Sequence, residues 1–165
     1  MKPAPVLDDE AERLAALHEL DVLDTPPEPR FNELVELAAF IAHTPIAAMT
    51  LIDEDRQWFK ASIGLEIAGS TRDISFCGHT IAGDRTMVVP DTLRDDRFAD
   101  NPFVADAPNI RFYAGVPLSM TNGHRVGTLC VLDTRPRTFL TDERRALEIL
   151  GRQVEAQLYL RRTEN

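Results

Sequence analysis

Two stretches near the start of the chain carry apolar residues at helical spacing. In the first, residues 8–20, leucines follow an acidic start, and acidic side chains favour the N-terminal end of a helix. In the second, from Glu28 to His43, apolar residues recur at intervals of three and four, which indicates one apolar stripe along a helix. The prolines between Asp24 and Pro29 predict a rigid turn rather than a linker between domains.

Strands are predicted where apolar and β-branched residues form short runs bounded by turn residues. The predicted strands are residues 46–52, 57–63, 86–89, 110–118 and 126–133. The first is apolar on both alternating faces, as a central strand covered on two sides should be. A polar turn joins the first two strands into a hairpin. The last two are joined through Thr121-Asn122-Gly123-His124, and Asn-Gly between such runs is the strongest short-range hairpin signal.

A final helix is predicted from Thr141 to about residue 162, with Thr141 as its cap and acids in its first turn. One apolar line along it consists of Leu147, Leu150, Val154 and Leu158, and a second line of Ala146, Ile149, Gln153, Ala156 and Leu160. We therefore expect this helix to contact both the sheet and a partner helix. The order of elements predicts an α+β fold, with an antiparallel sheet and the terminal helices on one of its faces.

Composition narrows the class of protein. The 165 residues fit one domain, and 18 basic against 27 acidic residues give a net charge of -9. This charge repels nucleic acid and anionic membrane surfaces, so neither is an expected partner. The two cysteines lie far apart, and neither a signal peptide nor a run of about 20 apolar residues is present. These features predict a cytoplasmic protein with free thiols.

The segment ISFCGHT, residues 74–80, places a cysteine two residues before a histidine. Ser75 can cap a short helix ending near Gly83. On a helix, Cys77 and His79 would point about 200° apart and could not share a metal ion, whereas on an extended segment they would share one side. Zinc also needs about four ligands, and the remaining histidines and Cys130 lack metal spacing. A reactive Cys77 near a helix start stays an alternative to a packed, buried thiol.

The acidic stretch from Asp91 to Asp106 lacks the alternating ligands, central glycine and final glutamate of a calcium loop. Its aspartates are expected to cap short helical turns. Phe98 and Phe103 are expected to tie this loop onto the core. A long ordered loop of this kind often covers a site.

Residues that could line such a site lie on the last two strands. Arg111 and Tyr113 share one face by alternation, and could hold an anionic or polar small molecule beneath the loop. Alternatively, Arg111 forms an ion pair with an aspartate of the loop and binds no ligand. The opposite set, expected to meet the helices, consists of Ile110, Phe112, Ala114 and Val116. Thr128 and Cys130 alternate with Leu129 and Val131, and one of these two sets could extend the pocket.

Taken together, the chain resembles a GAF domain, a small sensory fold of signalling proteins, from about Leu20 to Leu158. The segments that carry the resemblance are LDVLDTPPEPRFNELVELAAFIAHTPIAAMTLIDEDRQWFKASIGL, TRDISFCGHTI, RFADNPFV, IRFYAGVPL and VGTLCVLDTRPR. The resemblance implies five or six antiparallel strands, terminal helices on one face, and a pocket on the other closed by ISFCGHT and DTLRDDRFADNPFV. Such domains sense small molecules, cyclic nucleotides, bilins or redox state, and commonly dimerise through their terminal helices.

Departures from known branches of the family reduce the number of ligand classes that we expect. The Asn-Lys-Phe-Asp-Glu signature of cyclic-nucleotide binders has no match here. Bilin binders carry an adjacent Cys-His pair, whereas Gly78 separates Cys77 from His79. The free methionine sulfoxide reductases use three cysteines, and this chain has two. We therefore expect neither a bilin nor a metal as cofactor.

The resulting hypothesis is a non-catalytic sensory module that binds a small ligand and signals through its terminal helices. The expected ligand-binding residues are Arg111 and Tyr113 as anchors, with Cys77, Thr80, Phe98, Thr128 and Cys130 as lining. One alternative is a sulfoxide-reductase-like redox enzyme or thiol sensor using Cys77 and Cys130. Another is a dimerisation scaffold with a vestigial pocket. The chain either acts on a signalling partner in trans or is the sensory piece of a longer protein.

Overall fold

The computed structural model describes residues 1–120 and 122–164, so Thr121 of the predicted hairpin turn lies outside the described part. The strands are β1 (Ile46–Ile52), β2 (Arg56–Ile63), β3 (Gly69–Thr71), β4 (Met87–Val89), β5 (Phe112–Ser119) and β6 (Arg125–Asp133). The helices are α1 (Glu10–Glu19), α2 (Pro29–Ala42), α3 (Phe76–Thr80), α4 (Pro102–Ala105) and α5 (Thr141–Glu164), with a 3₁₀ turn at Thr92–Arg94.

All six strands form one antiparallel sheet in the order β3-β2-β1-β6-β5-β4. The expected α+β fold is therefore confirmed. Strand β3 was not predicted, because Gly69-Ser70-Thr71 is too short to show an alternating pattern. The expected helix end near Gly83 is wrong, since α3 ends at Thr80 and its C-terminal cap is Ile81 in a right-handed helical conformation.

The sheet separates two apolar cores. Helices α2 and α5 pack on one face, where Leu147, Leu150, Val154 and Leu158 are buried as expected. Helix α3, the short α4 and the loop around Phe98 cover the opposite face. Because β1 lies in the middle of the sheet, its side chains alternate between the two cores. The cavity that forms the candidate site lies in the second core.

A buried ion-pair cluster fixes α1 at one end of the sheet. The Arg13 side chain is 0% exposed and donates two hydrogen bonds to Glu10, of 3.0 and 2.9 Å, and one of 2.6 Å to the carbonyl of Ile52. Arg72, 5% exposed, donates to the same Glu10 carboxylate at 2.5 and 3.1 Å. One carboxylate thus serves two buried guanidinium groups.

A second buried cluster joins the sheet to the end of α5. The Nζ atom of Lys60, on β2, lies 2.6 Å from a Glu28 carboxylate oxygen, and the lysine side chain is 0% exposed. Arg161, near the end of α5, donates to the same oxygen from Nε at 2.7 Å. Arg161 also donates to the carbonyls of Leu20 and Asp21. Strand β2, the start of α2 and the end of α5 are therefore linked through one glutamate.

Candidate functional site

A small cavity lies in the second core, between the sheet and its cover. Its lining residues are Ala48, Thr50, Gln57, Phe59, Leu65, Ile67, Phe76, Cys77, Phe103, Pro108, Ile110, Tyr113, Cys130 and Leu132. Its volume of about 30 Å³ gives room for about two water molecules. The described lining residues include no charged side chain, and the exposed surface within the cavity is almost entirely apolar.

The cover of this cavity comes from three separate segments. Leu65 and Ile67 belong to the connection between β2 and β3, and Phe103 and Pro108 to the segment around α4. Phe76 of α3 is the third part. These segments are connections and short helices rather than strands, so separate pieces of chain, and not the sheet, close this side of the cavity.

Helix α3 is held in place by hydrogen bonds at its start. The Ser75 side chain caps the helix by accepting from the Gly78 backbone N–H at 3.0 Å, and it donates to the Arg72 carbonyl at 2.7 Å. The Phe76 ring packs edge-on against Phe98, with centroids 4.7 Å apart. These contacts aim Phe76 and Cys77 at the sheet.

A buried hydrogen-bond network borders the cavity on the α3 side. The Tyr113 and Thr80 hydroxyls lie 2.7 Å apart, and the Tyr113 hydroxyl donates to the Cys77 sulfur at 3.3 Å. The Thr128 hydroxyl donates to the same sulfur at 3.0 Å and lies 2.9 Å from the Thr50 hydroxyl. All five side chains are buried. The Cys77 sulfur is thus a shared acceptor at the centre of the network.

These hydrogen bonds change the acidity of the two thiols. Burial alone would raise the pKa of Cys77, but hydrogen bonds from Cys130, Thr128, Thr50 and Tyr113 outweigh it and lower the pKa to about 7. The pKa of Cys130 is raised, because a hydrogen bond to Cys77 and burial both favour its neutral form. Burial also raises the pKa of Tyr113, and the neighbouring Cys77 adds to the effect.

Gly115 provides the space that the Tyr113 ring occupies. The two residues share one face of β5, and a Cβ atom on Gly115 would lie 2.0 Å from the Tyr113 hydroxyl oxygen. A side chain at this position would therefore displace the phenol. The glycine allows the ring to lie flat along the strand and its hydroxyl to reach Cys77.

The residues expected from sequence to line a pocket divide into three groups. Tyr113, Cys77 and Cys130 line the cavity. Thr80, Thr128 and Phe98 lie behind the lining, where they contact its members. Arg111 does not reach the cavity. The set of Thr128 and Cys130, rather than Leu129 and Val131, faces the cavity side of β6.

The placement of Arg111 corrects the expected alternation. Strand β5 begins only at Phe112, so the strand pattern does not extend to Ile110 and Arg111. Ile110, expected to meet the helices, lines the cavity instead. Arg111 donates to the carbonyl of Val104 at 2.9 Å, so it holds the covering loop through a backbone carbonyl rather than through an aspartate.

Several lining residues are not indicated by the sequence. Gln57 and Phe59 lie in a predicted strand whose pattern does not show which face each residue takes, and Leu65 and Ile67 follow that strand in a connection with no periodic pattern. His79, in contrast, lies on the outer side of α3, where its Nε2 is 3.0 Å from the Lys2 carbonyl. This placement fits the expected separation of Cys77 and His79.

Two further features bear on the class of site. Among the described residues, no group of three or more His, Cys, Asp or Glu side chains is arranged to hold a metal ion. Within the same residues, no helix combines the length and apolar composition needed to cross a membrane.

Comparison with known proteins places this architecture in a family. The family model of the GAF domain matches residues 26–158. The chain is 40% identical over 166 residues to a cyclic di-GMP phosphodiesterase of Pseudomonas aeruginosa, a match that covers 100% of this chain and 28% of that protein. The chain thus spans just over a quarter of the length of this relative.

Two solved structures share the fold. The GAF domain of a phosphoenolpyruvate-protein phosphotransferase from Coxiella burnetii superposes with a TM-score of 0.69, at 13% identity over 93% of this chain and 95% of that one. The free methionine-R-sulfoxide reductase of Neisseria meningitidis, solved with its substrate, gives a TM-score of 0.65 at 19% identity over 94% of this chain and 91% of that one. The family match, the six-stranded sheet and the covered cavity agree, and the chain belongs to the GAF family of sensory domains.

Proposed function

We propose that this GAF domain is a non-catalytic sensor that binds a small, uncharged and largely apolar molecule between the sheet and the covering segments. The observation that carries the proposal is the apolar cavity at the centre of the second core. Ligand sites of small molecules are concave, mostly apolar and supplied with a few polar groups. The lining side chains with polar oxygen or nitrogen atoms are Thr50, Gln57 and Tyr113, and we propose that they orient such a ligand by exchanging their present hydrogen bonds.

The lining favours an uncharged ligand. The described lining residues include no Lys, Arg, Asp or Glu that could pair with a ligand charge. Burying an unpaired charge in an apolar site is costly, since it loses its hydration without compensation. Arg111, which could have attracted an anion, is engaged with the Val104 carbonyl. Cyclic nucleotides and other anions are therefore disfavoured.

The size of the cavity implies that binding is coupled to movement. A volume of about 30 Å³ is far below the roughly 300 Å³ or more of an ordinary ligand pocket. A ligand must therefore displace the covering segments, which carry Leu65, Ile67 and Phe103. Binding that selects an opened state shifts the population of conformers, and this shift is the signal.

Catalysis on a substrate such as free methionine sulfoxide is not favoured by this geometry. A free amino acid carries both an ammonium and a carboxylate group, and the described lining residues of the cavity offer no counter-charge to either group. Nor does the fold shared with a sulfoxide reductase at 19% identity carry its activity over to this chain. We therefore assign the domain a regulatory rather than an enzymatic role.

The output is proposed to pass through the terminal helices of a homodimer in the cytoplasm. The outer sides of α2 and α5 carry exposed apolar residues, which a second copy of these helices could cover. They are Leu37, Phe40, Ile149 and Leu160. A scaffold without a ligand would show the same surface, so only ligand binding separates the two hypotheses. The signal would reach a partner protein or an attached domain.

The proposal is tested by thermal unfolding with uncharged probes such as indole, cyclohexanol and benzyl alcohol, beside acetate and phosphate as charged probes. The neutral probes are expected to raise the unfolding midpoint of the wild type, since a ligand at ten times its Kd stabilises by about 1.4 kcal/mol. Ala48 faces the cavity from β1. Its replacement by leucine fills this space, and Ala48→Leu is expected to abolish the stabilisation.

The control is Ala11→Leu, which adds the same side chain at an exposed site on α1. It is expected to respond to the probes as the wild type does. Stabilisation by the anions alone, or an equal response of Ala48→Leu and the wild type, would show that the cavity is not the site. A complete lack of response would favour the scaffold hypothesis.

A further inference from the structure

The two cysteines of the chain face each other inside the second core. Cys77 projects from α3 and Cys130 from β6, and their sulfur atoms lie 3.8 Å apart. Both side chains are buried, at 3% and 2% exposure, and both line the cavity. Because both residues line the cavity, a small molecule in the cavity lies next to both sulfur atoms.

The two thiols differ in their surroundings. The Cys77 sulfur receives hydrogen bonds from the Thr128 hydroxyl at 3.0 Å and from the Tyr113 hydroxyl at 3.3 Å. Hydroxyl donors stabilise a thiolate, which is the nucleophilic form of cysteine. The Cys130 sulfur instead lies 3.6 Å from the carbonyl oxygen of Ala48, which can only accept a hydrogen. This arrangement favours a thiolate at Cys77 and a protonated thiol at Cys130.

We propose that Cys77 is a peroxide-reactive thiolate with Cys130 as its resolving thiol, so that hydrogen peroxide entering the cavity converts the pair into an intramolecular disulfide. Hydrogen peroxide is uncharged and only slightly larger than water. It therefore fits a cavity of about 30 Å³, whereas bulky or charged oxidants such as glutathione disulfide do not. The inference concerns the thiols alone and does not depend on ligand binding by the cavity.

The reaction has two steps that balance in atoms and electrons. In the first, the Cys77 thiolate attacks one oxygen of hydrogen peroxide, the O–O bond breaks, and Cys77 becomes a sulfenic acid while hydroxide leaves. In the second, the Cys130 sulfur, losing its proton to that hydroxide, attacks the Cys77 sulfur. The first hydroxide thereby becomes water, the S–S bond forms, the S–O bond breaks, and the oxygen of the sulfenic acid leaves as a second hydroxide. Peroxide is reduced by two electrons and the thiol pair is oxidised by two.

Only a short approach is needed to form the bond. The sulfurs must close from 3.8 Å to about 2.05 Å, which is within the reach of side-chain rotation combined with a small shift of α3. As Cys77 moves towards β6, the hydroxyls of Tyr113 and Thr128 lose their shared acceptor. Oxidation is thus expected to rearrange the network that borders the cavity.

The test is oxidation of the folded chain by hydrogen peroxide, followed by mass spectrometry and peptide mapping without reductant. The wild type is expected to lose the mass of two hydrogens and to yield one peptide pair joined through Cys77 and Cys130. Cys130→Ser removes the resolving thiol, so Cys77 is expected to accumulate as a sulfenic acid that dimedone labels. In Cys77→Ser, Cys130 is expected to stay unlabelled.

The rate of oxidation tests the role of the hydroxyl donors. It is expected to rise with a midpoint near pH 7, whereas an ordinary cysteine gives a midpoint near pH 8.5. Thr128→Val removes one hydrogen bond to the thiolate while keeping the side-chain shape, and a pKa raised by about one makes oxidation about fivefold slower at pH 7. Thr44→Val removes a buried hydroxyl that bonds the Ile46 carbonyl away from the sulfurs, and it should oxidise at the wild-type rate.

Three outcomes would overturn the proposal. The first is thiols that stay reduced in the folded wild type at a peroxide concentration that oxidises the denatured chain. The second is disulfide between chains rather than within one. The third is labelling of Cys130 instead of Cys77. Circular dichroism of each variant establishes that the comparison is between folded proteins, and the conservative Thr128→Val keeps the test valid if either cysteine variant fails to fold.

Discussion

Replacing Glu10 by glutamine is expected to lower the free energy of unfolding by about 3 kcal/mol at pH 7. Glu10 is the carboxylate that pairs with both Arg13 and Arg72, whose side chains are 0% and 5% exposed. Without its charge, two buried guanidinium groups lose their counter-ion. Breaking a buried pair by removing one partner is costly for this reason.

The loss of stability caused by Glu10→Gln should become smaller as the pH falls. Burial raises the pKa of Glu10, but hydrogen bonds from Arg13 and Arg72 outweigh it and lower the pKa to about 2, from a usual value of 4.5. Because the folded pKa lies below the unfolded one, the stabilisation is complete above about pH 5 and is lost as the pH falls through the range of about 4.5 to 2. The wild type should therefore lose its advantage over Glu10→Gln in acid.

Denaturant unfolding at pH 7, 4 and 3 measures this difference directly. Glu12→Gln is the matched control, because Glu12 lies on the same helix and is exposed. This control should change stability by less than about 0.5 kcal/mol at each pH. A gap between the wild type and Glu10→Gln that does not narrow with acid would show that the ion pairs do not hold α1.

Replacing Glu28 by glutamine is expected to cost about 2–3 kcal/mol and to loosen the end of α5. Glu28 accepts from Lys60 and from Arg161, and the Lys60 side chain is 0% exposed. Burial raises the pKa of Glu28, but hydrogen bonds from Lys60 and Arg161 lower it below its usual value, so it is charged at neutral pH. Neutralising it leaves the buried ammonium group with neutral partners, among them the Thr25 hydroxyl, the Pro26 carbonyl and the Phe31 ring.

Amide hydrogen exchange measures the expected loosening of the end of α5. The amides in the last two turns of α5 are expected to exchange about tenfold faster in Glu28→Gln, because the tether of Arg161 is weakened. Glu33→Gln, at an exposed position on α2, serves as the control and should leave both stability and exchange unchanged. If α5 exchanged at its wild-type rate in Glu28→Gln, this cluster would not connect the sheet to α5.

The main helices and strands, and the face of β5 that is turned towards the cavity, could be predicted because local sequence patterns indicate them. The stripe on α5 predicted its buried side, and alternation along β5 predicted that Tyr113 would face away from the terminal helices. Alternation along β6 left open whether Cys130 or its neighbours Leu129 and Val131 would face that side. Alternation failed at Ile110 and Arg111, because these residues precede the first paired residue of β5. The pattern of a strand applies only where the backbone is extended and paired.

The contacts that join distant segments could not be predicted from sequence. Glu10 and Arg72 are separated by 62 residues, and Glu28 and Arg161 by 133. Neither local charge pattern indicates such a partner, since many acids and bases lie along the helices. The meeting of Cys77 with Cys130 likewise depends on how α3 is docked over β6, and a short capped helix does not by itself define its rotation.

A ligand that signals through the terminal helices must alter α5 when it binds in the cavity. This coupling is measured by titrating the isotope-labelled chain with its most stabilising neutral probe and recording two-dimensional amide NMR spectra. Resonances of β1, α3 and residues 103–110 are expected to shift together with those in the second half of α5, all with one Kd. Shifts confined to exposed surface residues, or cavity shifts that leave α5 unchanged, would contradict this coupling.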